Sequence, residues 1–212
     1  MTSTTAIVAA PGAAEAIVKK VLSLGVDGIG PWSGARDIAE EHRSQYADPE
    51  VAIERLMRTH VRLVGATGFA MGLGGLWTLP VAVPADVTAL YALSARCVAA
   101  VAHLRGYDID SDEVRSVVLL TLLGSTGAGV AAEFGAKIGT KAATAALRKL
   151  PGEVLIAINK AVGFRLLTKF GQKGAVNLVK VVPLVGGGVG AAVNIAAMKT
   201  AGAYARKNFP KT

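Results

Sequence analysis

Two ionisable residues, Arg96 and His103, lie in a stretch of the chain that is otherwise almost wholly apolar. They are seven residues apart, and at about 100° per residue this spacing places both on one face of a helix. A buried guanidinium needs an acidic partner, because an unpaired charge in an apolar interior is costly. Asp86, Asp108 and Glu133 are the acids considered for this role. We expect a structural ion pair, with a polar patch in an apolar ligand pocket as the alternative.

The acidic segment 108–113 is the one run of carboxylates with the spacing of a cation loop. An EF-hand would also require Gly at its sixth position and Glu at its twelfth, where this chain has Glu113 and Leu119. A turn followed by a helix cap explains the same acids. No two histidines are three or four residues apart, so the chain lacks a helical metal pair. We expect neither a bound metal nor a cofactor.

The glycine-rich segment 181–191 imitates a dinucleotide-binding fingerprint, with Gly186 and Gly188 followed by Ala191. That mechanism needs a strand before the glycines and an acid about 20 residues after them. No acid follows Glu153, and strand periodicity is absent. We therefore expect Gly186, Gly188 and Gly190 to allow close approach of another helix.

The composition of the 212 residues favours thin helices that pack closely. Hydrophobic residues make up 52% of the chain, mean hydropathy is +0.46, and 25 residues are glycine. Small side chains let helix backbones approach each other, or let helices contact a bilayer. The low charge excludes disorder over most of the length. One domain over residues 11–212 is expected, preceded by a flexible amino terminus of residues 1–10.

Helical spacing of apolar residues recurs along the chain, and strand-like alternation does not persist. Asp48-Pro49-Glu50 predicts a helix start, because Asp caps a helix and Pro suits its first position. An apolar stripe follows, made of Ile53, Leu56, Met57, His60, Val61 and Val64. The fold class predicted is an all-α, single-domain bundle of about eight to ten helices with Gly/Pro-broken apolar hairpins.

Glycine and proline positions predict where helices begin and end. Gly25 is expected to stop the first helix, and Pro84 to begin the apolar helix that ends near Arg105. Residues 63–85 carry no charge but contain five glycines and two prolines. A helix-loop-helix hairpin is therefore favoured there over a straight membrane span. One Ala-rich helix is expected to run from residue 127 to about Leu150.

The single cysteine, Cys97, excludes an internal disulfide and suits a reducing compartment. We expect it to be an inert core residue, because its surroundings are apolar. The amino terminus has no cationic start, so a secretory signal is not expected. The predicted location is the cytoplasm, with peripheral attachment to the cytosolic face of a membrane.

Charge is divided unevenly along the sequence. Residues 1–133 hold 10 Lys and Arg against 14 acids, whereas residues 134–212 hold 13 against one, a net of +12. Such a basic half indicates an anionic partner. Anionic lipid is favoured over nucleic acid, because basic and aromatic residues do not interleave and no nucleic-acid motif is present. Candidate lipid contacts are Trp77, Lys137, Lys141, Arg148, Lys149, Lys160, Arg165, Lys169 and Lys173.

Three stretches together are similar to one protein family. They are residues 72–86, residues 103–124 with His103-Leu-Arg-Gly-Tyr-Asp108, and residues 182–194 with their glycine run. The sequence resembles the EcsC family of bacterial proteins over roughly residues 45–208. The resemblance implies a helical protein without an assigned activity, cofactor or catalytic residue. A founding member is encoded beside an ABC transporter, which makes a transporter component one candidate partner.

The resemblance carries over motif positions without attaching a role to them. These positions are Pro84, Asp86, Gly106, Tyr107, Asp108, Pro183, Gly186, Gly190 and Asn194. Four of them, Asp86, Asp108, Gly186 and Asn194, join Arg96 and His103 as candidate residues of a pocket.

The leading functional hypothesis is a non-enzymatic, membrane-associated accessory protein. Its basic C-terminal half would contact anionic lipid, and the hairpin around Trp77 would enter the interface. The alternative is a soluble enzyme or carrier that acts on an apolar small molecule in a helical pocket beside Arg96 and His103. A third hypothesis is an integral protein with spans near residues 63–85, 116–132 and 181–198.

Overall fold

The protein is an all-α bundle, as the periodicity predicts. The structure is a computed structural model that describes residues 12–73, 75–171 and 183–211, with side chains undescribed at 71–87, 169–171 and 183–187. Its α-helices are α1 (Ala13–Leu22), α2 (Ala35–Gln45), α3 (Pro49–Leu73), α4 (Gly75–Leu104), α5 (Asp112–Leu122), α6 (Gly127–Glu133), α7 (Lys141–Leu147), α8 (Gly152–Gly171) and α9 (Pro183–Asn208). Within these ranges the only β pairing is an isolated bridge between Ile29 and Trp32.

The start of α3 and its buried face are as predicted. Pro49 takes the first helical position, and an Asp48 carboxylate oxygen accepts a hydrogen bond from the Glu50 backbone N–H at 2.8 Å. Ile53, Leu56, His60 and Val64 are buried, and Met57 and Val61 are half-buried against the core. The stripe therefore faces inward over its whole length.

Helix α4 is the central element, since nearly every residue from Leu90 to Ala102 is buried. Its predicted start at Pro84 is wrong, because α4 begins at Gly75 and continues through Pro80 and Pro84. Proline removes one backbone donor and strains the preceding turn, but it does not have to end a helix that its neighbours hold in place.

Helices α3 and α4 form the predicted hairpin. Helix α3 ends at Leu73 and α4 begins at Gly75, and the two run antiparallel: His60 pairs with Arg96 and Glu50 pairs with Arg105. Segment 63–85 is thus divided between two helices. In the described ranges, no helix combines the length and the apolarity needed to cross a membrane.

Helix α9 packs antiparallel against α3 through glycine. A Cβ built on Gly68 would lie 2.8 Å from the carbonyl oxygen of Gly190, and one built on Gly190 would lie 2.8 Å from that of Gly68. Farther along the pair, Gly202 of α9 lies against Met57 of α3. The predicted close approach is therefore correct at Gly190. It is wrong at Gly188, where a Cβ would meet nothing within 4 Å.

The difference between these two glycines follows from helix geometry. Residues two apart on a helix point about 200° away from each other, so Gly188 is exposed when Gly190 faces α3. Gly186 is the third glycine of this prediction. Only its backbone is described, so its packing stays untested. All three positions fall within α9 rather than in a loop before it, which is unlike a dinucleotide-binding turn.

Two other predicted helix boundaries are wrong. Helix α6 ends at Glu133, and a loop separates it from α7, because Gly135 and Gly139 adopt left-handed backbone angles of φ 69° and 97°. At the amino terminus, Gly25 lies inside a π-helical turn that continues α1, and a Cβ there would lie 2.4 Å from the Ala92 carbonyl oxygen. Gly28, with φ 80°, follows this turn.

Arg105 closes the end of the bundle where α3 begins and where α4 and α9 end. Its guanidinium donates two 3.0 Å hydrogen bonds to the Glu50 carboxylate and bonds to the carbonyl oxygens of Arg206 and Phe209. The ring of Tyr107 packs edge-on against Phe209 at 5.1 Å between centroids. This end is polar and tightly bonded, whereas the opposite end of the same three helices carries the uncharged segments.

The Gly68–Gly190 contact predicts a specific pattern of stability. Gly190→Leu should lower the free energy of unfolding by about 1–3 kcal/mol or more, because the added side chain forces α3 and α9 apart. Urea unfolding at neutral pH measures the change. Gly188→Leu, an exposed site on the same helix, is the matched control and should stay close to wild type. Equal loss in both variants would contradict the crossing described here.

Candidate functional site

The surroundings of Arg96 differ from the expected ion pair. The side chain is only 7% exposed, and its Nε–H donates to Nε2 of His60 at 3.1 Å. An Nη1 donor bonds to the Ser33 carbonyl oxygen at 3.3 Å, and the guanidinium carbon lies 5.0 Å from the ring centroid of Trp32. Neutral groups therefore surround this arginine.

The acids considered for Arg96 have other places in the fold. Glu133 pairs with Arg165 at 2.6 Å, and Asp108 is exposed in a turn, where its carboxylate accepts the Asp110 N–H. Asp86 has an undescribed side chain, but its backbone is ten residues from Arg96 on α4. The helical rise makes this about 15 Å, too far for a direct ion pair.

His60 is held in one neutral tautomer by its two hydrogen bonds. Its Nδ1–H donates to the Leu56 carbonyl oxygen at 2.9 Å, which leaves Nε2 as the acceptor for Arg96. The pKa of His60 is lowered to about 4, chiefly because burial penalises the charged imidazolium; the Leu56 hydrogen bond opposes this shift, and the positive charge of Arg96 adds to it. The imidazole thus serves as a neutral acceptor at physiological pH.

His103 and Arg96 share a face of α4 but not a pocket. Nε2 of His103 lies 2.6 Å from a carboxylate oxygen of Glu40 on α2, and this hydrogen bond lowers the pKa of Glu40 from its ordinary value. Both side chains point toward the segment 28–45, about 10 Å apart along the helix. Sequence reasoning missed His60 and Trp32 as the groups that surround Arg96.

The other predicted pocket residues are not assembled beside Arg96. Asn194 is buried where α3 and α9 cross, with its Nδ2 3.5 Å from the Val64 carbonyl oxygen. Nothing is described around Gly186. Cys97 is fully buried, and burial raises the pKa of its thiol to about 12, which fits an unreactive core residue.

A cavity of about 120 Å³ lies on the side of α4 that is opposite Arg96. It is bounded by α4, the 3₁₀ turn at Gly124–Thr126 and α9, and its lining includes Leu90, Tyr91, Ser94, Leu122, Thr200 and Ala201. Pockets for drug-sized ligands occupy about 300–1,000 Å³. This cavity could admit a very small molecule, but not an extended apolar substrate.

Three of the predicted lipid-contacting cations pair with acids from the first half of the chain. Arg148 hydrogen-bonds the buried Glu113, Lys160 lies 3.4 Å from Glu15, and Arg165 pairs with Glu133. Burial opposes ionisation of Glu113, but the hydrogen bonds from Arg148 and Ser111 keep its pKa below the ordinary value. Folding therefore offsets part of the charge asymmetry seen in the sequence.

Other cations remain available on the surface. In the described part of the chain, Lys137, Lys141 and Lys149 are exposed and form no ion pair. Lys137 and Lys141 flank Gly139, which lies near Asn208 and the Lys207 carbonyl at the end of α9. For Lys169 the side chain is undescribed, and Lys173 lies outside the described residues. Trp77 is placed only by its backbone, in the first turn of α4.

Exposed apolar side chains gather toward the end of the bundle opposite Arg105. Leu63 and Phe69 of α3 and Val189 and Val193 of α9 are exposed within about a turn and a half of the Gly68–Gly190 crossing. No charged residue occurs in residues 63–85 or 183–198. We call this region, formed by residues 63–73 of α3, 75–85 of α4 and 183–193 of α9, the apolar end.

A second exposed apolar feature lies on α8. Ile156, Lys160 and Phe164 are four residues apart and share one exposed face of the helix. Sequence reasoning assigned the cations of this helix to a surface but not these two apolar residues.

The architecture and this charge distribution define an all-α protein with one apolar end and a dispersed set of surface cations. Among the described residues, no group of three or more His, Cys, Asp and Glu side chains is placed to hold a metal ion. The model of the EcsC protein family matches residues 13–211, so the chain belongs to this family. No curated protein and no solved structure matches it significantly.

The buried histidine predicts acid sensitivity of the fold. Because the pKa of His60 is lower in the folded chain than the ordinary 6.5, the unfolded state takes up its proton first as pH falls. The stability held above pH 6.5 should decline between pH 6.5 and about 4, by about 3 kcal/mol in total from this residue. Urea unfolding at a series of pH values should show a shallower decline for His60→Gln. An identical slope in that variant and wild type would contradict the neutral, buried state of His60.

Proposed function

We propose that this protein attaches to the face of a membrane by placing its apolar end among lipid chains. The observation that carries the proposal is that Leu63, Phe69, Val189 and Val193 are each exposed on the charge-free segments of α3 and α9 that flank the Gly68–Gly190 crossing. Exposing large apolar side chains to water is unfavourable, and an end that carries several of them and no charge is typical of an interaction surface. The proposed role is that of an accessory protein rather than an enzyme.

The size of the apolar end fits one leaflet of a bilayer. Each of its three helical segments has about 11 residues, which at 1.5 Å per residue corresponds to roughly 16 Å. The hydrocarbon core of a bilayer is about 30 Å thick, so this depth corresponds to half of it. Backbone groups inside α3, α4 and α9 bond along each helix, whereas the first-turn N–H groups of α4 and α9 have no intrahelical partner and need water, headgroup oxygens or other protein groups at the tip.

An electrostatic contribution from the surface lysines depends on how the protein lies on the membrane. A cation close to an anionic membrane surface contributes roughly 1 kcal/mol, and the effect falls off over the Debye length. Lys137 and Lys141 lie near the end of α9 that is opposite its apolar end. About 18 residues, or roughly 27 Å, separate Val189 from Lys207 along α9. These lysines can reach the surface only if α9 lies along the membrane.

The α8 face of Ile156, Lys160 and Phe164 is the competing contact surface. It combines two exposed apolar residues with a cation, as interfacial helices do. Liposome flotation of substituted proteins distinguishes the α8 face from the apolar end, because different residues form the two surfaces.

Liposome flotation tests the proposal with matched variants. Phe69→Glu combined with Val193→Glu should reduce the partition coefficient at least about tenfold for each substitution, since each places a carboxylate in the apolar interface. Val51→Glu is the control. Val51 lies on the same helix as Phe69 and is similarly exposed, at 39% against 46%, but it is at the polar end. Circular dichroism should show that all variants remain helical.

The outcome of flotation separates the alternatives. Loss of binding in Ile156→Glu with Phe164→Glu, and not in the Phe69 and Val193 variant, would transfer the contact to α8. With the three helices upright in the leaflet, Gln substitution of Lys137 and Lys141 should leave binding to anionic liposomes unchanged; weaker binding with less sensitivity to salt would show that α9 lies along the membrane instead. If wild-type protein floats with neither neutral nor anionic liposomes, membrane attachment is wrong.

A soluble carrier or enzyme is the second candidate function. The cavity of about 120 Å³ beside Ser94 and Thr200 is the observation that favours it, because it combines apolar walls with hydroxyl groups. Its volume restricts the ligand to a very small molecule.

A further inference from the structure

The guanidinium of Arg96 carries a charge that its described neighbours do not neutralise. Its partners are a neutral imidazole, a backbone carbonyl and an aromatic face. In the described part of the chain, no carboxylate lies within ion-pair distance of it. A buried charge without a counter-charge is unfavourable, and it becomes favourable when an anion with good geometry joins it.

Trp32 separates this charge from solvent. The indole stacks on the guanidinium and is itself 42% exposed, in contrast to the buried residues around Arg96 on α4. It sits on a tight turn in which Ile29 and Trp32 exchange backbone hydrogen bonds of 3.1 Å on each side of Gly30 and Pro31. Rotation of the Trp32 side chain would therefore uncover the face of the guanidinium against which the indole lies.

We propose that Arg96 is the centre of an oxyanion-binding site that Trp32 covers when the site is empty. The ligand would be a phosphate or carboxylate group, which accepts two parallel hydrogen bonds from the planar guanidinium. His60 and Ser33 act as positioning groups, because they hold Nε–H and one Nη1 hydrogen and leave Nη2 and the second Nη1 hydrogen as the donors for the ligand. This site is independent of the proposed membrane attachment and uses none of the residues of the apolar end.

The source of the oxyanion is either a small solute or a lipid headgroup. The exposed Ile29 and Trp32 form an apolar rim beside the site, which suits the chain of an anionic amphiphile as well as it suits a free ion. The shared chemistry is the charged head, and the choice of titrant distinguishes the two sources.

Tryptophan fluorescence can report on the site directly. The chain has two tryptophans, so a Trp77→Phe background leaves Trp32 as the only emitter. This variant is titrated with sodium phosphate, sodium acetate and soluble dihexanoyl phosphatidic acid at constant ionic strength. We expect a saturable change in Trp32 emission and a rise in Tm, since a ligand that binds only the folded chain stabilises it.

Substitutions test whether Arg96 is responsible. Arg96→Gln should weaken binding at least about tenfold, because the charged, bidentate donor is lost. Arg58→Gln is the control, since Arg58 is an exposed arginine of α3 that pairs with Glu54. If Arg96→Gln fails to fold, Trp32→Ala still tests the proposal: without the covering ring, the same anion should raise Tm at a lower concentration.

The three titrants distinguish a small-anion site, a headgroup site and no site at all. Saturation by free phosphate or acetate supports a small-anion site, and saturation by the phosphatidic acid alone supports a headgroup site. The proposal is overturned if neither the Trp77→Phe background nor Trp32→Ala responds to any of the three titrants. It is equally overturned if Arg96→Gln folds and binds as tightly as the background protein.

Discussion

The close crossing of α3 and α9 at Gly68 and Gly190 is the constraint on which the rest of the structure depends. Two backbones meet there, each glycine faces the carbonyl oxygen of the other, and the buried Asn194 amide packs against Gly68. The contact brings the amino-terminal half of α9 beside the α3–α4 hairpin. The uncharged part of α9 is thereby brought beside the uncharged parts of α3 and α4, from which it is distant in sequence, while Arg105 bonds the other end together.

Much of this architecture is predictable from local sequence signals. The cap at Asp48, the apolar stripe from Ile53 to Val64 and the end of the buried helix before Gly106 all follow from backbone and periodicity rules. The failures concern tertiary context. Pro84 lies within α4 rather than at its start, and only the rotation of α9 decides that Gly190 rather than Gly188 meets α3.

The partner of Arg96 shows a further limit of sequence reasoning. An ion pair is the usual solution for a buried arginine, and the sequence offers acids at plausible positions. The structure instead surrounds the charge with His60, Ser33 and Trp32, which come from α3 and from a glycine-rich turn. No periodic pattern links these three residues, so their convergence follows from the packing of α3 and the turn on α4.

Folding neutralises part of the charge asymmetry between the two halves of the sequence. The contrast between the two halves of the sequence suggests one strongly basic surface, but Arg148, Lys160 and Arg165 pair with Glu113, Glu15 and Glu133 of the other half. The apolar end is therefore a better basis than a basic face for the proposed attachment to a membrane. Quenching of Trp77 fluorescence by brominated lipid chains, in a Trp32→Phe background, tests this directly, because Trp77 lies in the first turn of α4. The account predicts strong quenching on binding to liposomes. Bound protein whose Trp77 emission is unaffected by brominated chains would contradict it.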